Sequence, residues 1–120
     1  MADKTIKIQG TFEVHEISGA VSNKAVIKDL DTIVQQVSAF GPWIVPGNTI
    51  NQQISFGGIT LAKRIYLKTD QAVTLKLNQN TDLGFSFKGE GILSSDDGIT
   101  ALFVTTGPND TNVEAIIGGD

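Results

Sequence analysis

Polar and apolar positions alternate through most of this chain. From Thr5 to Val14 the even positions carry Ile6, Ile8, Gly10, Phe12 and Val14, while their neighbours Lys7, Gln9 and Thr11 are polar. A period of two puts one set on a buried face and the other in water, so the segment predicts a half-buried strand, and Gly10 marks a bulge or bend in it. The second half repeats the pattern on odd positions. Ile59, Leu61, Ile65 and Leu67 form one set, interrupted by Ala62 to Arg64; Val73, Leu75 and Leu77 form the next, and Leu83, Phe85 and Phe87 follow. Ile99 to Val104 and Val113 to Ile117 supply two more strands, and Ile54 with Phe56 lies on another.

Turn chemistry separates these runs. It falls at Lys68 to Gln71, Asn78 to Asp82, Lys88 to Gly91, Ser94 to Gly98 and Gly107 to Asp110. Asn and Asp bond their own backbone in turns and Gly supplies positive φ, so each stretch predicts a reversal. Asp97-Gly98 between apolar runs predicts a hairpin. Gly41-Pro42 predicts a break, and Pro46-Gly47 the next turn. Short strands recurring about every ten residues imply an all-β sandwich or barrel.

Ala25 to Phe40 supports two readings. Ile27, Leu30, Ile33, Val34 and Val37 recur at three and four, as on an amphipathic helix. Val26, Ile27, Thr32, Ile33, Val34 and Val37 are β-branched, which favours strands. Propensity tips the reading towards strand. The expected fold is therefore all-β: an antiparallel β-sandwich with at most one short helix, and residues 1–120 forming one domain.

Composition narrows the function. Hydrophobic residues make up 40% of the 120, which is enough for a packed core without staples. The charged fraction, 18%, falls below the usual quarter, which fits an assembly component better than a free enzyme. The net charge of −4 argues against a free-standing nucleic-acid binder and against anionic membranes, because phosphate contacts demand a basic face. Lys63-Arg64 is the densest basic spot and reads as a solvated strand end. No apolar run approaches the ~20 residues of a membrane-spanning helix. Met1-Ala2-Asp3-Lys4 lacks a signal-peptide core, so a soluble product of the cytoplasm is expected.

Catalytic chemistry finds little to work with. There is no cysteine, which removes disulfides, thiolate catalysis and cysteine zinc sites. His15 is the only histidine and follows an alternating strand, so an outward polar side chain is its plain reading. The serines lie in turns or strand patterns and no Gly-x-Ser-x-Gly elbow exists. Asp29 with Asp31, and Asp96 with Asp97, are paired carboxylates, but neither pair carries the further oxygens of a calcium loop. Gly89-Glu90-Gly91 lacks the Lys of a P-loop, and Glu90 would repel phosphate. Neither a catalytic residue nor a metal or cofactor site is expected, and the protein reads as non-enzymatic.

Surface recognition has better candidates. Trp43, between Pro42 and Ile44, is either core or an interface anchor. Tyr66 is the other aromatic platform a glycan could stack on. Asn48, Asn51, Gln52 and Gln53 cluster, which is either a solvated strand edge or a hydrogen-bonding interface. The expected contact residues are Trp43, Ile44, Asn48, Gln52, Gln53 and Tyr66.

The run Ile59-Thr-Leu-Ala-Lys-Arg-Ile-Tyr-Leu-Lys-Thr-Asp-Gln-Ala-Val-Thr-Leu-Lys-Leu-Asn78 resembles small structural proteins encoded among the head and tail genes of tailed bacteriophages. So do Ile99-Thr-Ala-Leu-Phe-Val-Thr-Thr-Gly107 and the closing Asn112-Val-Glu-Ala-Ile-Ile-Gly-Gly-Asp120. The resemblance covers residues 50–120 and is made of fold-forming positions, so it transfers no site residues. It implies a jelly-roll-like sandwich in a virion: a capsid cement or decoration protein bound to the major capsid protein, or a neck or tail component. Residues 1–4 could extend as a flexible arm, and free strand edges favour a homo-oligomer. A glycan- or receptor-binding module at the tail tip is the alternative.

Overall fold

The computed structural model describes residues 4–15, 21–27, 32–34, 36–81 and 83–120. Its strands are β1 (Lys4–Ile6), β2 (Gly10–His15), β3 (Val21–Ile27), β4 (Thr32–Val34) and β5 (Gln36–Val45). They continue with β6 (Gln52–Gln53), β7 (Ala62–Leu77), β8 (Phe85–Ile99), β9 (Leu102–Thr106) and β10 (Thr111–Gly119). No helix occurs among the described residues, and every pairing is antiparallel. The all-β expectation holds. Ala25–Phe40 is strand wherever it is described, in β3, β4 and β5; residues 28–31 and 35, Asp29 and Asp31 among them, lie outside the described residues.

Six strands form the main sheet, in the order β5-β10-β7-β9-β6, with β8 along the other side of β7. Register shows how it is built. β10 pairs with the first half of β7 and β9 with the second half, so β9 and β10 run end to end along one β7 edge. β5 and β6 repeat this along the far side of β10 and β9. Each long strand changes direction at one level: residues 46–51, Gly107–Asp110, and the β7 segment 70–72, where the β7–β8 register slips between Thr69 and Val73.

The slip lets the sheet curl. Sixteen residues fully extended would span about 50 Å. Yet Ile99 pairs with Ala62 at the start of β7, and Leu102 pairs with Leu77 at its end. Three Cα steps separate Ile99 from Leu102, a reach of about 11 Å at most. The two ends of β7 therefore lie close together, and the sheet wraps around its own contents. Those contents come from both halves: Ile65, Leu67, Val113, Ala115 and Ile117 from one, Val73, Leu75, Leu102 and Val104 from the other. Ile54, Phe56 and Ile59, on the connection from β6 to β7, complete the core. The odd positions Ile65, Leu67, Thr69, Val73 and Leu75 of β7 are buried, as their alternation predicts.

Several local expectations are corrected. The single strand from Thr5 to Val14 is two, β1 and β2, with different partners and a break at residues 7–9, just ahead of Gly10. Lys68–Gln71, Lys88–Gly91 and Ser94–Gly98 are not reversals: all three lie inside long strands. Residues 70–72 form a bulge in β7 and residues 95–98 one in β8, while Gly89 to Gly91 stay in register with Thr69 to Leu67. Gly98 has φ of +94°, and residues 94–99 oppose only Ala62–Arg64. Gly41-Pro42 does not end a strand either; it forms a bulge within β5, where the pairing with β10 shifts between Val113 and Ala115. Ile54 and Phe56 are buried but lie outside any strand, and Ile99 to Val104 is split by Thr100-Ala101 between β8 and β9. The turns at Pro46-Gly47, Asn78–Thr81 and Gly107–Asp110 are found as expected.

Candidate functional site

The chemical inventory stays sparse in three dimensions. Among the described residues there is no group of three or more His, Cys, Asp or Glu that could hold a metal ion. His15 has its backbone in β2, and its side chain lies outside the described residues. Asp96 does not pair with Asp97 for acid–base work; its carboxylate accepts a hydrogen bond from Arg64 Nη2 at 3.0 Å and is otherwise open to solvent. Asp70 accepts hydrogen bonds from Asn112 N at 2.8 Å and Asn112 Nδ2 at 3.2 Å, and Asp110 accepts one from Gly47 N at 2.9 Å. Asp96 and Asp70 tie one strand to another, and Asp110 ties the connection before β10 to the one after β5.

Five of the six expected contact residues share one border of the molecule. β5 and β6 form an edge of the main sheet, and Trp43, Ile44, Asn48, Gln52 and Gln53 all lie along it. Trp43 is 62% exposed, which overturns the core reading of this residue. The reason is its strand: an edge strand has no neighbour to cover it, and the Gly41-Pro42 bulge re-aims the residues that follow. Trp43 packs on Phe40, ring centroids 6.3 Å apart and tilted by 53°. Ile44 is 66% exposed and Ile50 76%, so three large apolar side chains stand in water along a stretch of eight residues. Isolated exposed apolar residues are ordinary; a run of them along one edge makes this border the candidate interaction surface.

The amides have structural duties beside these. Asn48 and Asn51 hold φ of +58° and +54°, a region Asn tolerates better than most side chains. Asn48 N donates to Gly107 O at 2.7 Å, and Asn51 N donates to Thr105 Oγ1 at 3.0 Å. Both asparagines therefore shape the connection from β5 to β6. Gln52 and Gln53 are exposed, with one bond from Gln52 Nε2 to Gln53 O at 3.1 Å.

Tyr66 does not join this group. It sits on the outer face of β7, two strands in from the β5 edge, level with Ile116 of β10 and Ile92 of β8. Its hydroxyl donates to Glu90 Oε2 at 2.8 Å. That hydrogen bond, followed by desolvation and by the charges of Glu90 and Glu114, holds the phenol above its ordinary pKa of 10.0.

Tyr66 belongs to a second feature that the alternation pattern did not bring out. Residues 6–9 pass over the outer face of the sheet and leave a groove of about 260 Å³. Ile6, Ile8, Val37, Ile92 and Ile116 form its walls with Tyr66, and Arg64 lies at its side. Gly118 permits this crossing: a Cβ there would overlap Ile6 Cδ1. The sequence signal was Ala115-Ile116-Ile117, since three consecutive apolar residues on a strand mean cover on both faces.

No family model matches this chain, and comparison with the curated proteins and with the solved structures finds no match to it.

Proposed function

We propose that this protein works by surface association, as a structural component of a tailed-phage virion: a capsid cement or decoration protein that binds across subunit joints and stabilises the head. The observation that carries the reading is the β5–β6 edge, where Trp43, Ile44 and Ile50 stand exposed beside the amides of Gln52 and Gln53. Exposed aromatic and aliphatic anchors rimmed by polar groups are how protein interfaces are made. The resemblance of residues 50–120 to small head and tail proteins supplies the setting, and a jelly-roll-like arrangement of two sheets belongs to the same proposal. Made in the host cytoplasm, the protein acts in the particle. Many copies on a repeating lattice multiply a modest contact into firm attachment, because each bound copy raises the effective concentration of the next joint. A place in the neck or tail uses the same surface on a different partner. Glycan binding has less to draw on, since Trp43 and Tyr66 lie two strands apart and do not line a common groove.

The test is co-sedimentation of the purified protein with particles that lack it. Trp43→Ala with Ile44→Asp removes the two anchors from an exposed edge, so the fold is retained while binding weakens. Truncation of a hot-spot Trp costs about 2 kcal/mol or more, which is over tenfold in affinity. Undiminished binding by the double variant contradicts the assignment of this edge.

A further inference from the structure

We propose that two copies of this chain pair edge to edge through β8, antiparallel about a two-fold axis at Ile92, to make one continuous sheet. This does not depend on where the protein is mounted. Among the described residues the sheet has two free borders, and they differ. The β5–β6 border is interrupted: Pro42 has no N–H to offer, a bulge follows Gly41, and residues 46–51 leave the strand path. Those are the usual defences of an edge against pairing. β8 has none of them over most of its length. It runs for fifteen residues without proline, carries a single lysine, Lys88, and among the described residues pairs on one side only. Ile92, 48% exposed, stands at the middle of its most regular stretch, where Gly89 to Ser94 pair in unbroken register with Thr69 to Arg64.

Register selects the axis. An axis midway between two residues would set the core-facing side chains of one copy opposite the outward side chains of the other. Among axes through a residue, one at Lys88 or Glu90 opposes like charges directly. One at Gly91 sets Glu90 against Ile92, one at Leu93 sets Glu90 against Asp96, and one at Ser94 sets Ile92 against Asp96. An axis at Gly89 would match Lys88 with Glu90, but it falls where β7 and β8 lose register. An axis at Ile92 sets Ile92 against Ile92 of the second copy, Glu90 against Ser94, and Leu93 against Gly91, beside the Phe87 ring that lies over that glycine. By strand count it also sets Lys88 against Asp96 twice, once on each side, although both residues lie just outside the regular stretch Gly89 to Ser94. Asp96 is held by Arg64 on one side and leaves its other lone pairs in solvent, where that lysine would arrive. The pairing would cover Ile92 and carry the apolar strip of Ile116, Tyr66 and Ile92 across both copies.

Sedimentation velocity on the whole protein measures the oligomer, and a dimer is expected at micromolar concentrations. Ile92→Lys opposes two charges on the axis and is expected to give a monomer with an unchanged far-UV spectrum, because the side chain is exposed. Lys88→Glu should weaken the dimer about tenfold or more, through two repulsive pairs, and Asp96→Lys added to it should restore the dimer. Register is read separately. The chain has no cysteine, so single cysteines at Ile92, Glu90 and Ser94 can be compared under mild oxidation. Ile92→Cys should cross-link fastest, because only a residue on the axis meets its own copy. A wild-type monomer at hundreds of micromolar, an Ile92→Lys dimer, or equal cross-linking at all three positions would overturn the proposal.

Discussion

At the scale of single residues, the clearest consequence concerns Tyr66. It is the only tyrosine, so an absorbance titration reads it without ambiguity. The phenol gives its proton to the hydrogen bond with Glu90, and the carboxylate opposes a second negative charge, so the folded protein should titrate above pH 10. Because the folded value is raised, the stability it contributes is present below pH 10 and is lost as pH rises through the folded value. Glu90→Gln should move the titration back towards 10. Identical curves for the two proteins would show that the hydrogen bond is not formed in solution. Residue identity was partly legible. Asn48, Asn51 and Asn78 sit at positive φ, as turn chemistry leads one to expect. Trp43 could not be placed from sequence, because core and interface use the same side chain; only the position of β5 at a sheet border decides.

At the scale of elements, local chemistry and strand path must be kept apart. The Gly- and Asp-rich stretches at residues 88–91 and 94–98 do relax the backbone, as Gly89 at +97° and Gly98 at +94° show. They were legible as irregularities, but not that 94–98 holds a bulge while 89–91 continues the strand, because only the partner strand distinguishes a bulge from a hairpin or a regular strand. The connections that do turn are tied across the bend by few groups. Thr106, at the end of β9, is nearly buried; its Oγ1 donates to Pro46 O at 2.7 Å and accepts from Thr49 N at 2.9 Å. Thr106→Val keeps the shape and leaves Thr49 N without this acceptor, while Pro46 O retains its bond from Thr49 Oγ1. A loss of about 1–3 kcal/mol in a denaturant melt is expected, with the slope unchanged. A neutral result would mean that this corner does not hold the two halves of the sheet.

At the scale of the whole molecule, alternation identified an antiparallel all-β chain, but the curl depends on where β7 meets β9 and β10, and that is non-local. Likewise the outer groove needs residues 6–9 to cross a sheet built from residues 36–119, a contact no window of sequence contains. What the curl produces is a core closed to solvent and borders where Trp43, Ile44, Ile50 and Ile92 stand exposed, a division suited to binding other proteins. Imaging of purified particles with and without this protein tests that account most directly. Regular density over the head that disappears without the protein, while tails remain, is the predicted result. Particles in which the protein is wholly absent would contradict it.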